Sequence, residues 1–132
     1  MENVKEFVDQ LVKIDILEDY DCYGHYPFQL FVETSDGKFE MNALALGGDV
    51  ESCYKRCGEY LKNGAKKIFM SLDFPANLDI KEDFLCIFSI VDGKFEVYAI
   101  PYSTETGEKY EEIHTSELLN KILEDFKFIV NK

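Results

Sequence analysis

The stretch FLCIFSIVDGKFEVYAIP, residues 84–101, decides the fold of this chain. Its first eight residues are almost entirely apolar, which is typical of a buried strand. Asp92 and Gly93 follow, and Asp-Gly is a strong hairpin signal because both residues tolerate the positive φ angles of a tight reversal. The stretch therefore predicts two antiparallel strands, residues 84–91 and 94–101, joined by a two-residue turn.

A second hairpin is predicted upstream. Residues 28–34 and 38–46 both have the composition of strands, and Ser35-Asp36-Gly37 lies between them. The Asp-Gly pair again supplies the turn signal. A further strand is predicted over residues 67–74, where an apolar run ends at Pro75.

Three helices are predicted from apolar residues at helical spacing, over residues 2–17, 50–63 and 116–126. The second has the clearest boundaries. Asp49 precedes it as an N-cap, whose side chain accepts hydrogen bonds from unpaired backbone amides. Gly64 follows it, where the left-handed conformation that ends many helices favours glycine.

The predicted order is thus α-β-β-α-β-β-β-α, an α+β domain with a five-stranded, mainly antiparallel sheet. Helices with one apolar face would pack on that sheet. This order of elements resembles that of the roadblock and longin-type folds. The resemblance covers most of the chain but is one of element order only, and a shared fold does not by itself imply a function.

Length and composition predict a single domain spanning residues 1–132. Hydrophobic residues make up 46% of the chain, which suffices for an ordinary packed core. The formal net charge is −12. Such an excess of acid opposes direct binding to nucleic acid and to anionic membranes, since both would be repelled. Solubility alone is the simpler explanation of the charge.

The N-terminal residues show no signal-peptide pattern, and no apolar run is long enough to span a membrane. We therefore expect a cytoplasmic protein with reduced cysteines. Cys22 and His25, together with Cys53 and Cys57, offer four ligands of the kind that zinc prefers. Core packing explains Cys53 and Cys57 better, because both fall on the apolar stripe of their helix. No cofactor is predicted.

An acidic loop follows the predicted third strand. Asp73, Asp79, Glu82 and Asp83 are candidate ligands for Mg²⁺ or Ca²⁺, since hard cations prefer oxygen ligands. The spacing is not that of an EF-hand, and a solvated loop is the alternative. If the chain is an enzyme or a ligand-binding domain, these carboxylates and His25 would line its pocket, with Asp73 the first candidate for a metal ligand or base.

Tyrosines accompany the acids in two predicted loops. Tyr20, Tyr23 and Tyr26 lie in one loop, and Tyr102 and Tyr110 lie in the other. Tyrosine combines a large apolar body with a polar tip, so these residues are candidate contacts for a partner. Packing of the loops against the domain is the alternative. No catalytic residue is predicted, because no motif brings a nucleophile to a base.

These observations favour a non-enzymatic protein-interaction or regulatory module. Its partner would be a protein, in the sharper version one with a basic nucleic-acid-binding surface that the acidic chain occupies by mimicking nucleic acid. Inhibitors encoded by phages or mobile elements act in this way as a class. That version requires the acidic runs 15–21 and 105–112 to form one face. A homodimer is a further option.

Overall fold

A computed structural model describes residues 5, 6, 9, 29–37, 39–43, 49–106 and 108–132. The strands are β1 (Gln29–Glu33), β2 (Phe39–Ala43), β3 (Lys67–Phe74), β4 (Phe84–Val91) and β5 (Lys94–Pro101). The helices with defined bounds are α1 (Val50–Lys62) and α2 (Glu117–Val130). Lys5, Glu6 and Asp9 are also helical. They fall in the helix predicted over residues 2–17, the rest of which lies outside the described residues.

The strands form one sheet in the order β2-β1-β3-β4-β5, and every neighbouring pair is antiparallel. The α+β class and the antiparallel sheet are therefore as predicted. At the centre, β3 and β4 pair over their full length, from Lys67 opposite Val91 to Phe74 opposite Phe84. This pair is apolar on both sides, as expected for strands buried on both faces.

The two Asp-Gly dipeptides reverse the chain in different ways. Asp92 and Gly93 have φ angles of 52° and 77°, and Val91 pairs with Lys94, which gives the predicted two-residue turn. In the first hairpin Gly37 has a positive φ, of 83°, and its N–H donates to the Thr34 carbonyl at 3.0 Å. Asp36 does not have a positive φ, so the two Asp-Gly pairs adopt different turn conformations.

The helices cover one face of the sheet, which we call the helix face. Its buried strand residues include Ile68, Met70 and Phe88. From α1, Tyr54 reaches this layer, and its ring centroid lies 5.5 Å from that of Phe88 and 5.1 Å from that of Phe126 of α2. Aromatic rings at such distances add to the stabilisation from apolar burial.

The opposite face, which we call the second face, is also apolar and buried. Its buried residues are Phe31, Phe69, Leu85, Ile87, Tyr98, Ile100 and Tyr102. The helical residues Lys5 and Asp9 line a cavity together with Tyr98 and Ile100, so they lie at this face. The sheet is therefore a central layer with apolar contacts on both sides.

Helix α1 has the predicted caps. Asp49 accepts a hydrogen bond from the Ser52 backbone N–H at 2.7 Å, and Gly64 follows the helix with a φ of 89°. Helix α2 begins at its N-cap Ser116 as expected but continues to Val130, four residues beyond the predicted end at Phe126. Ile129 and Val130 pack against the core, which extends the helix.

The two helices run in the same direction and touch at Gly58. A Cβ atom at this position would lie 2.9 Å from the carbonyl oxygen of Val130 and 3.4 Å from its Cα. Backbone cannot move away as a flexible side chain can, so glycine sets the distance between the helices.

Replacing Gly58 by Ala should lower the free energy of unfolding by about 1 to 3 kcal/mol, because the added methyl group overpacks the helix contact. Urea unfolding measures the change. Glu59→Ala is the matched control, since this exposed neighbour gains helix propensity without meeting α2. If Gly58→Ala proves as stable as the wild type, the close approach of the helices is not as described.

Candidate functional site

Two loops meet at one end of the sheet. Because β3, β4 and β5 are antiparallel, the end of β3, the start of β4 and the end of β5 lie together. Residues 75–83 connect β3 to β4, and residues 102–116 connect β5 to α2. The Tyr102 N–H donates to the Asp83 carbonyl at 3.0 Å, which joins the two loops directly. We call residues 73–83 and 102–117 the acidic end.

The acidic end concentrates negative charge. It holds nine carboxylates and two lysines, Lys81 and Lys109. The carboxylates belong to Asp73, Asp79, Glu82, Asp83, Glu105, Glu108, Glu111, Glu112 and Glu117. All of these except Asp73 and Asp83, which are half-buried, are exposed. Charges gathered on one surface raise the local potential above what net charge alone would produce.

The opposite end of the sheet is richer in lysine. Lys67 opens β3, Lys94 opens β5, and Lys62 ends α1. Lys127, in the last turn of α2, places its Nζ 6.0 Å from the centroid of the Phe95 ring. The two ends of the sheet, compared along the strand direction, therefore differ in charge: one is rich in carboxylates and the other is richer in lysine.

Asp73 and Asp79, two predicted metal ligands, are hydrogen-bonded to other groups of the protein. The Tyr102 hydroxyl lies 2.7 Å from both carboxylate oxygens of Asp73. An oxygen of Asp79 accepts a hydrogen bond from the Leu118 backbone N–H at 2.9 Å, in the first turn of α2. Asp79 thus supports the start of a helix that lies 39 residues away in sequence.

The other two predicted ligands do not complete a site with them. Asp83 accepts a hydrogen bond from the Ala76 N–H at 2.9 Å and closes its own loop, and Glu82 lines a shallow depression beside Tyr110. Among the residues that the structure describes, no three His, Cys, Asp or Glu side chains are placed to hold a metal ion. The Mg²⁺ or Ca²⁺ hypothesis stays a prediction.

The predicted interaction tyrosines separate into three groups. Tyr20, Tyr23 and Tyr26 lie outside the described residues. Tyr102 is fully buried in the second face, so a partner that docks on the folded chain cannot touch it. Tyr110 is 46% exposed and lies on the surface of the acidic end.

Leu78 is a surface residue that sequence reasoning missed. It is fully exposed at the tip of the loop after β3. The Asn77 side-chain oxygen accepts hydrogen bonds from the N–H groups of Asp79 and Ile80, both at 2.9 Å, and Ile80 is buried. These contacts hold Leu78 in a defined position. The sequence feature that could have identified Leu78 is its position as a single large apolar residue between Asn77 and Asp79 in a polar loop.

A cleft opens on the second face at the edge of β5. Residues 108–113 run back along β5, with reciprocal hydrogen bonds of 2.9 Å between Ala99 and Ile113. Between this segment and the helical residues lies a cavity of about 430 Å³, which we call the edge cleft. It is lined by Lys5, Asp9, Tyr98, Ile100, Lys109, Tyr110, Glu112 and His114.

Aromatic and charged groups meet in the edge cleft. The rings of Tyr98 and His114 stack with centroids 4.8 Å apart and planes 17° from parallel. His114 Nε2 lies 3.3 Å from a carboxylate oxygen of Glu112. Burial raises the pKa of Tyr98, and the charges of Glu112 and Asp9 raise it further, so its phenol is neutral at pH 7. Burial lowers the pKa of Lys109, while Asp9 and Glu112 act in the opposite sense.

The cysteines of the zinc hypothesis have different positions. Cys22 and His25 lie outside the described residues. Cys53 and Cys57 are buried on the inner side of α1, and the Sγ of Cys57 lies 3.7 Å from the Sδ of Met70. Burial raises the pKa of Cys57 to about 12, which disfavours the thiolate that zinc would bind. The surroundings of Cys53 and Cys57 are those of core side chains.

None of the described helices has both the length and the apolar character needed to cross a membrane.

Asp79→Ala should lower the free energy of unfolding by about 1 kcal/mol in buffer with EDTA, because the Leu118 N–H loses its acceptor. Urea unfolding measures the effect. Glu82→Ala, an exposed position of the same loop, is the control, and its free energy of unfolding should not change. Addition of Mg²⁺ or Ca²⁺ distinguishes the metal hypothesis. A rise in Tm with the cation in the wild type, absent in Asp79→Ala, would show that Asp79 is a metal ligand and not only a helix-capping group.

Comparison with known proteins identifies no relative. No protein-family model matches the chain. The curated proteins and the solved structures likewise contain no significant match. The function of the chain therefore has to be inferred from its own geometry and charge.

Proposed function

We propose that this chain is a non-enzymatic interaction module whose acidic end docks on the basic surface of a protein partner. The observation that carries the proposal is the gathering of two acidic loops at one end of the sheet. Complementary potentials between two proteins accelerate their encounter and select the orientation in which they meet.

Two exposed apolar side chains supply the apolar contact area that charged groups alone do not provide. Leu78 is fully exposed on one loop of the acidic end, and Tyr110 is 46% exposed on the other. Large apolar or aromatic anchors surrounded by polar residues are typical of interface centres. In this proposal the carboxylates steer the partner, and Leu78 and Tyr110 are buried when it arrives.

A sharper form of the proposal is that the partner's basic surface binds nucleic acid and that the chain occupies it by mimicry. The run 105–112 contributes to the acidic end, and the run 15–21 lies outside the described residues. Residues 73–83 add further carboxylates, and they contact the loop after β5 through Tyr102 and Asp83. Competition with a DNA duplex for the purified partner tests this form.

The alternative of an enzyme or ligand site centred on Asp73 has less support. Both oxygens of that carboxylate face the Tyr102 hydroxyl, and the carboxylates of Asp79 and Asp83 accept backbone N–H groups. Groups engaged in this way stabilise the loops.

We also propose the complete order α-β-β-α-β-β-β-α for the chain. The helical conformation of Lys5, Glu6 and Asp9 supports the first element. The likeness to roadblock and longin-type folds stays one of element order. A measured structure of residues 1–28 tests this order.

The test of the proposed function compares two fourfold variants of equal charge. Glu82→Gln, Glu105→Gln, Glu108→Gln and Glu111→Gln together remove four of the nine negative charges of the acidic end without changing the lining of the edge cleft. The control combines Glu59→Gln, Glu96→Gln, Glu124→Gln and Asp125→Asn, all exposed and outside the acidic end. Proteins captured from an extract of the source organism are identified by mass spectrometry, and each purified candidate is titrated by calorimetry.

We expect the acidic-end variant to weaken binding of the purified partner at least about tenfold, with the control close to wild type. Affinity should also fall as NaCl rises from about 50 to 500 mM, since screening weakens exposed charge pairs. Equal affinities of the two variants, or binding that does not depend on salt, would rule out docking through the acidic end.

A further inference from the structure

Lys109 is a half-buried cation that has no ion pair with a carboxylate among the residues the structure describes. It lines the edge cleft, and it forms no ion pair within 4.0 Å with any residue of the described chain. Its pKa is lowered by burial, which reflects the cost of desolvating the charge. An anionic group that entered the cleft would offset this cost and favour the charged form of the lysine.

Two carboxylates flank the lysine without pairing with it. Asp9 and Glu112 line the same cleft, and both act on Lys109 through their charge. A molecule that carries both charges would therefore find a cation and two carboxylates among the lining of one cleft. A ligand with several negative charges, such as a nucleotide, would instead meet Asp9, Glu112 and the surrounding acidic end.

The remaining lining groups match a small molecule with an apolar part. The Tyr98 hydroxyl reaches solvent and forms no hydrogen bond with described residues, so it can donate to a ligand oxygen. Ile100 and the ring of Tyr110 provide apolar surface. The cavity of about 430 Å³ lies within the range of small-molecule sites and exceeds the volume of one amino acid.

We propose that the edge cleft binds a small zwitterion of the amino-acid class. The ligand carboxylate lies against the Lys109 ammonium and the Tyr98 hydroxyl, its ammonium faces Asp9 and Glu112, and its apolar side chain contacts Ile100 and Tyr110. Each charged group of the ligand then meets the opposite charge at the site. This binding function is distinct from partner docking in the class of its ligand and in its use of Lys109, Tyr98 and Asp9, although Tyr110 and Glu112 belong to both surfaces.

The test titrates the full-length chain with L-phenylalanine and L-leucine, followed by two-dimensional NMR up to about 20 mM ligand, a range that suits weak small-ligand affinities. Phenylalanine amide lacks the carboxylate, and N-acetylphenylalanine lacks the ammonium. Inorganic phosphate tests for a simple anion site. The variants are Lys109→Met and Glu112→Gln. Lys81→Met, which removes the other lysine of the acidic end, is the control.

Shifts of the Tyr98, Lys109 and Glu112 resonances are expected with at least one of the two amino acids. The amide and the N-acetyl compound should bind at least about tenfold more weakly. Lys109→Met and Glu112→Gln should each weaken binding by a similar factor, and Lys81→Met should not. Urea unfolding of the variants separates loss of binding from loss of fold.

Three outcomes would overturn the inference. No shift with either amino acid at the highest concentration excludes the proposed ligand class. Binding of the amide or of the N-acetyl compound that is as tight as binding of phenylalanine excludes recognition of a zwitterion. Binding of phosphate alone, or amino-acid binding that survives Lys109→Met in a folded variant, assigns the cleft a different chemistry. Since the acidic-end variant leaves these residues intact, failure here is distinguishable from failure of partner docking.

Discussion

The rest of the structure depends on the pairing of β3 with β4, two strands that are apolar on both faces. Ile68 and Met70 point to one side, and Phe69 points to the other. Such a pair is stable only when both sides are removed from water, because each buried large side chain contributes about 1.5–3 kcal/mol. The need to cover two faces places α1 and α2 on one side and positions the helical residues Lys5 and Asp9 at the other.

The antiparallel arrangement then determines where charge accumulates. Every connection must lie at one of two ends of the sheet, so the loops 75–83 and 102–116, which the second hairpin separates in sequence, become neighbours. Asp79 of the acidic end accepts a hydrogen bond at the start of α2, so the N-terminus of α2 lies at that end. Helix α1 is parallel to α2, so its N-terminus lies toward the same end. The positive ends of their dipoles favour carboxylates there, and the negative ends favour Lys62 and Lys127.

The acids of the two loops have two distinct roles as a result. Asp73, Asp79 and Asp83 face protein donors and hold the loops and α2 together. Glu105, Glu108 and Glu111 are exposed, and Glu108 and Glu111 belong to the segment that runs along the edge of β5. Charged residues along a sheet edge discourage pairing with the edge of another chain. The surface that we propose for a basic partner would thus also oppose self-association through strand addition.

Several features were predictable from sequence because they depend on neighbouring residues. The second Asp-Gly turn, the Asp49 cap and the apolar stripe of α1 follow from local conformational preference and periodicity. Other features are decided by residues that lie far apart in sequence. Tyr102 was predicted in a loop but is a core residue. Residues 109–113 return along β5, and the Asp73 carboxylate accepts a hydrogen bond from the Tyr102 hydroxyl. The edge cleft was likewise not predictable, since its lining comes from three separate parts of the chain.

By itself the sequence determined an acidic α+β chain with an antiparallel sheet, since alternation, turn chemistry and net charge are properties of adjacent residues or of simple sums. Only the tertiary structure decided which carboxylates support helix α2 and which face solvent, and that a half-buried Lys109 shares one cleft with Asp9 and Glu112. The physical reason is that burial, pairing and electric field depend on which remote segments the sheet brings together.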